Sequence, residues 1–253
     1  MTGRQPVGID LAFRTRNEGS KGAAPIIYVH GAMSDASVWQ MLSAKLARAI
    51  PNRAGIMIDL PGHGGTAALH CEWIEDYAAS VLEFMETRGI DKAMLVGHSM
   101  GGAIAQQIAI ERPEKVERLV LLATGARLGV SPQIMEAIRG DFELAVTMMK
   151  SFLFAPDTPE KLWKPVVERM KLVGPDMALN DFAACGAFDS VGRIDDVQIP
   201  AIVCCGEHDF MTSPKKNRRL SESLGCPYVE IPDAGHMIQI EKVAELAAII
   251  AEF

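Results

Sequence analysis

Short, wholly apolar runs alternate with segments of helical period along most of this chain. Pro25–Val29 (PIIYV), Gly55–Leu60 (GIMIDL), Lys92–Val96, Arg118–Ala123 (RLVLLA) and Ala201–Cys205 (AIVCC) read as strands, and Tyr228–Ile231 as one more. Between them, Ala36–Ala49 is helical in period and stops before Pro51. Trp73–Thr87 lays Ile74, Tyr77, Ala78, Val81 and Leu82 on one face, with Gly89 just past its end. Met100–Glu111 halts before Pro113, Lys215–Leu224 separates the last two strands, and a final helix runs through Val243–Ala251. Strands without polar alternation are buried on both faces. That requires a mostly parallel sheet covered by helices on each side, an α/β fold. Val7–Arg14 alternates weakly and reads as a strand near an edge.

The rhythm changes between Thr124 and Val197. That stretch is helical in period and rich in Met and Phe; Leu144–Phe152 and Leu162–Leu172 are its clearer helices, with breaks at Gly140, Pro156, Pro159 and Gly174-Pro175. It reads as a helical cap (124–197) inserted into a core formed by 1–123 and 198–253. Ligands of such sheets bind outside the carboxyl ends of the strands, so the loops there are where chemistry is expected.

Totals exclude several partner classes. The 253 residues are 49% hydrophobic, enough for one sizeable domain, and the net charge is −7. An acidic balance argues against a nucleic-acid partner. The basic run Lys215-Lys216-Asn217-Arg218-Arg219 reads as the solvated face of a short helix. The five cysteines, Cys71, Cys185, Cys204, Cys205 and Cys226, have no metal-ligand spacing and no disulfide framework, which fits a reducing compartment. With no secretory leader visible and no apolar run long enough for a membrane span, a cytoplasmic protein is expected. No metal or cofactor motif is present, so no cofactor is expected.

Gly97-His98-Ser99-Met100-Gly101 fits G-x-S-x-G between an expected strand and an expected helix. A strand turning sharply into a helix strains the serine backbone and pushes its hydroxyl out of the turn. The residues two before and two after come so close that both must be nearly free of side chain. A serine hydroxyl needs a base. Among six histidines, His236 lies in the loop directly after the last strand, at the carboxyl end where it can meet Ser99. His30, His63 and His98 read as loop or turn support, and His70 as an exposed loop residue. The base needs an acceptor for its second nitrogen. Asp209, past the strand AIVCC, is on the neighbouring loop; Glu207 and Asp59 are the competing carboxylates. For the oxyanion, Met100 N–H follows the serine, and Ala32 N–H follows the early strand, with Met33 as the alternative.

Taken together, HGAMSDASVW (His30–Trp39), DLPGHGGT (Asp59–Thr66), GHSMGG (Gly97–Gly102), GEHD (Gly206–Asp209) and DAGHM (Asp233–Met237) resemble the α/β-hydrolase superfamily over nearly the whole chain. The resemblance implies a mostly parallel eight-stranded sheet with a cap after the sixth strand. It places nucleophile, acid and base on Ser99, Asp209 and His236, and oxyanion donors on Ala32 and Met100. Epoxide hydrolases and haloalkane dehalogenases of this fold carry aspartate at the elbow, which Ser99 is not. The GHSMGG form looks most like small carboxylesterases, acylglycerol lipases and enol-lactonases. The expectation is therefore cleavage of a small-molecule, largely apolar carboxylic ester through an acyl-enzyme. The alternatives are a carbon–carbon bond hydrolase, an acyltransferase or perhydrolase of the same fold, and a slow-turnover ligand receptor. Met33, Met148, Phe152 and Phe188 are the expected pocket residues, with Met135, Met149, Leu153 and Phe154 as further candidates; no basic cluster in the cap points to strong selection for anionic substrates, and Arg127, Arg139 and Arg193 are the cations that could still meet one.

Overall fold

The computed structural model describes residues 8–20, 22–67 and 71–253. In chain order its strands are β1 (Phe13–Arg16), β2 (Ile26–Val29), β3 (Gly55–Ile58), β4 (Ala93–His98), β5 (Val116–Leu122), β6 (Ala201–Gly206) and β7 (Tyr228–Ile231). They form one seven-stranded sheet in the order β1-β3-β2-β4-β5-β6-β7. β1 pairs antiparallel with β3 at the edge, and all other pairings are parallel. The helices are α1 (Gln40–Ala49), α2 (Ile74–Thr87), α3 (Met100–Glu111), α4 (Pro132–Gly140), α5 (Phe142–Leu153), α6 (Glu160–Lys171), α7 (Pro175–Ala187), α8 (Pro214–Leu224), α9 (Ile238–Glu241) and α10 (Val243–Glu252).

The period-2 geometry of strands splits the apolar runs into two cores. Ile26, Tyr28, Met94, Val96, Val120 and Leu122 face one side, with Leu42 and Leu46 of α1 and Leu246 and Ile250 of α10. Ile27, Val29, Leu95, Leu119 and Leu121 face the other, with Tyr77 and Val81 of α2 and Ile104 and Ile108 of α3. Every residue of β2, β4 and β6 is buried. This is why these runs lack alternation and why the parallel reading holds.

Two sequence expectations change. Seven strands stand where the resemblance implied eight, and the helical insertion follows the fifth described strand, not a sixth. The edge strand begins only at Phe13. Before it, Ala12 N–H donates to Thr66 Oγ1 and Ala12 O accepts from Asp59 N–H, so this backbone is satisfied by the DLPGHGGT loop instead of a strand partner. The start of the Val7–Arg14 reading, Val7, lies outside the described residues, as does His70.

Between β5 and β6 stand α4, α5, α6 and α7, within the stretch 124–197 expected to form the cap. Gly140 ends α4, Pro156 and Pro159 fall between α5 and α6, and Gly174 precedes Pro175, the first residue of α7. Pro165 sits inside α6 without ending it.

Candidate active site

β4 delivers Ser99 into a turn with φ 53 and ψ −116, left-handed for a residue that disfavours it, before α3 begins at Met100. The elbow is held by Ser99 N–H donating to Leu122 O (3.0 Å) and by Thr124 Oγ1–H donating to Ser99 O (2.9 Å). A Cβ on Gly97 would lie 2.3 Å from Gly101 O, and one on Gly101 would lie 2.1 Å from Val29 O. Both obstacles are backbone, so only glycine fits at either position.

His236 is carried by the loop after β7 and Asp209 by the loop after β6. Gly206 lets these loops touch, because a Cβ there would meet Gly235 O at 2.1 Å. His236 Nδ1 lies 3.0 Å from Asp209 Oδ2. Asp209 also accepts from Met211 N–H (2.9 Å), Thr212 N–H (2.8 Å) and Thr212 Oγ1–H (2.8 Å). Burial pushes its carboxyl pKa up, but the facing His236 and the Thr212 donors outweigh that and hold it below the usual carboxylate value. An ionised carboxylate only accepts, so His236 Nδ1 carries the proton that bridges to it. His98 Nε2–H donates to His236 O (3.0 Å), and the two rings lie 4.7 Å apart. Burial, reinforced by His236, pushes the His98 pKa down to about 3, so it stays neutral. Ser99, His236, His98, Gly31 and Ala32 line one small cavity of about 40 Å³.

Two backbone donors flank Ser99. Met100 N–H starts α3, and neither it nor Ala32 N–H has an acceptor among the described residues. Met33 N–H is different: it donates to Asp181 Oδ2 at 2.8 Å. Of the two, Ala32 N–H is the one without an acceptor among the described residues. His30 fixes this loop from behind. Leu60 N–H donates to its Nε2 (3.0 Å), so its Nδ1–H donates to Gly31 O (2.9 Å).

A chamber of about 450 Å³ opens from Ser99 and Ala32 into the cap. No Asp, Glu, Lys, Arg or His lines it among the described residues. It can therefore hold an apolar group beside the serine.

Comparison with known proteins follows this geometry. Residues 26–249 match the model of the alpha/beta hydrolase family. The chain belongs to that family. The crystal structure of an enol-lactonase from Burkholderia xenovorans LB400 superposes with a TM-score of 0.87 at 26% identity, covering 97% of this chain and 96% of that one. A thermophilic esterase gives a TM-score of 0.83 at 31% identity, covering 97% and 93%. The chain is also 30% identical over 244 residues to the dihydrolipoyllysine-residue acetyltransferase component of the acetoin cleaving system of Pseudomonas putida. That match covers 90% of this chain and 62% of the relative, so the chain spans less than two thirds of that protein.

Within this α/β hydrolase, the expected pocket residues divide. Met148 and Phe152 line the chamber at its mouth, where they are 60% and 48% exposed, and Met149 lines it as well. Leu153 lines the small cavity at Ser99. Met33 and Phe188 line neither; both are buried in the cores, as is Phe154, and Met135 packs against the core from the cap. The period of a cap helix says which residues share a face, but not which face looks inward. Phe182, Phe210, Met211 and Ile134 line the chamber and were not singled out from sequence. Arg127 pairs with Asp189 at 2.7 Å, Arg193 donates to Gln107 and to Asp189 O, and neither they nor Arg139 reaches the chamber.

Two supporting residues escaped the sequence reading. Thr212 grips Asp209 by two bonds. Asn217 sits inside the basic run of α8, is fully buried, accepts from Thr124 N–H (2.9 Å) and donates to Thr212 O (2.7 Å). It thus ties the elbow to the Asp209 loop. Its neighbours keep the expected solvated character: Arg218 pairs with Glu230 and lies over the Tyr228 ring. Glu207, His208 and Asp233 bring three ligand atoms within 4.8 Å of one another, away from the chamber; there Glu207 Oε2 accepts from Asp233 N–H. The five cysteines are all free thiols, and no described helix is long and apolar enough to cross a membrane.

Proposed function

We propose that this α/β hydrolase cleaves a small or medium, largely apolar carboxylic ester through Ser99, His236 and Asp209. The observation that carries the reading is the 3.0 Å hydrogen bond from His236 Nδ1 to Asp209 in a loop pair that shares one cavity with the strained Ser99. With Nδ1–H engaged by Asp209, Nε2 is the nitrogen left to serve the serine as base. His236 takes the Ser99 proton as Oγ attacks the ester carbonyl. The tetrahedral oxyanion is bound by Ala32 and Met100 N–H at the start of α3, where the helix dipole adds to the stabilisation. His236 returns the proton to the departing alcohol. Water then attacks the acyl carbonyl, gives a proton to His236, and His236 returns it to Ser99 Oγ as the acid leaves. Asp209 stabilises the imidazolium formed in each half.

The uncharged chamber supports an apolar acyl or alcohol group. The enol-lactonase and esterase relatives support the reaction class. The core of 1–123 and 198–253 would supply the chemistry, and the cap of 124–197 the selectivity. The test is turnover of p-nitrophenyl butyrate by wild type and Ser99→Ala. Repeated turnover lost in the variant supports the reading. Equal rates in both refute it.

A further inference from the structure

The cap reaches the oxyanion loop through one buried carboxylate. Asp181 of α7 accepts Met33 N–H on Oδ2 (2.8 Å) and Tyr77 Oη–H on Oδ1 (2.8 Å), and Oδ2 lies 2.9 Å from His63 Nε2. All four residues are excluded from solvent. His63 Nδ1 faces Pro61 O at 2.9 Å, and a carbonyl only accepts, so that nitrogen bears a proton. Nε2 faces the Asp181 carboxylate at 2.9 Å, so both ring nitrogens meet oxygen acceptors. Acceptors on both sides favour the imidazolium form of His63. Burial pushes the His63 pKa down, but Asp181, the Pro61 carbonyl and Asp59 together outweigh it and hold the value above the ordinary one.

A buried ion pair is a poor way to attach a cap, since apolar packing serves at least as well. What this pair does that packing cannot is accept a particular N–H. Met33 has φ 55, a left-handed backbone that a methionine disfavours. Asp181 holds it there by fixing the peptide plane between Ala32 and Met33. Ala32 N–H, one plane earlier, has no acceptor among the described residues. Asp35, two residues beyond Met33, is gripped by Arg169 of α6. The loop is thus held by the cap at Met33 and again at Asp35.

Resting on the acyl-enzyme reading above, we propose that Asp181, charged against His63 and braced by Tyr77, is the positioning residue of the oxyanion hole. Through it the cap sets the direction of Ala32 N–H. Asp181→Asn keeps the shape, removes the charge and turns one acceptor into a donor. In the full chain it is expected to lower kcat for p-nitrophenyl butyrate about 10- to 100-fold with KM held within about threefold. A trifluoromethyl ketone, which Ser99 converts to a tetrahedral oxyanion, should bind more weakly by the same factor. The matching planar amide should keep its inhibition constant. A merely structural role would weaken both inhibitors alike, and that result, or an unchanged kcat, overturns the proposal. If Asp181→Asn does not accumulate folded, Tyr77→Phe decides. It leaves the charge and removes one bracing donor, so a kcat loss of about 3- to 10-fold at constant KM is expected, and a flat kcat overturns it. Ser99→Ala separates the two readings: an active Ser99→Ala sinks the ester mechanism itself, whereas an inactive Ser99→Ala beside an unaffected Asp181→Asn sinks only the positioning role.

Discussion

Acid should destabilise this protein well before its carboxylates are neutralised, because His30 and His98 are buried in the neutral form. Burial, with the His63 imidazolium beside it, pushes the His30 pKa down to about 4; burial and His236 push His98 to about 3. Geometry gives the same answer for His30. Its Nε2 accepts Leu60 N–H, so a proton there would break that bond. Unfolded, both titrate near 6.5. Between that value and the folded ones, the unfolded chain binds protons that the native state refuses, so stability falls as pH falls. His63 has the opposite sign. Its raised folded pKa means its contribution is complete below about 6.5 and lost only as pH rises through the folded value, so it is silent in this window. The lowered pKa of Asp209 contributes stability that is lost only below the ordinary carboxylate value, again outside the window. From about pH 6 to about pH 5, His30 and His98 together should remove about 2 kcal/mol, a large fraction of a typical net stability of about 5–15 kcal/mol. Urea unfolding followed by tryptophan fluorescence at the two pH values measures it directly. His98→Gln, which keeps a donor for His236 O, should roughly halve the difference. Stability that is flat or rising from pH 6 to pH 5 would refute the argument, because it would mean that the two imidazoles are not held neutral.

Other outcomes follow from the site. Asp209→Asn should lower kcat by about 10⁴-fold with the fold intact, since the amide cannot hold the required His236 tautomer; steady-state kinetics beside circular dichroism checks it. Gly101→Ala puts a Cβ 2.1 Å from Val29 O, a backbone atom that cannot swing aside, and should cost at least about 1–3 kcal/mol in urea unfolding. Ala137 lines the chamber, so Ala137→Trp should cut kcat/KM for octanoate esters by about 10-fold or more while sparing acetate. A p-nitrophenyl ester series would expose a chamber that holds the alcohol instead, because acyl length would then make no difference.

Much of this molecule is written locally. The apolar runs had to be buried strands because nothing in them suits a solvated face, and the two cores follow from their period. Gly97 and Gly101 announced a backbone approach too close for any Cβ, and the contacts bear that out. Asp209 and His236 were legible because each follows a strand of a parallel sheet, and such strands bring their carboxyl ends to one edge. Which residues line the chamber was less legible. Met148 and Phe152 face the chamber while Phe188 and Met33 do not, although all four are equally apolar in sequence.

The sequence by itself determined the strand–helix alternation, the elbow and the order of its partner loops, because each depends on residues close together along the chain or on a rule about parallel sheets. Only the tertiary structure decided which loop N–H is free, which aromatic side chains face the serine, and that Asp181 of the cap holds Met33. Those contacts join residues as much as 148 positions apart. Their partners are chosen by how the cap helices rotate and dock on the sheet, and no local pattern encodes that.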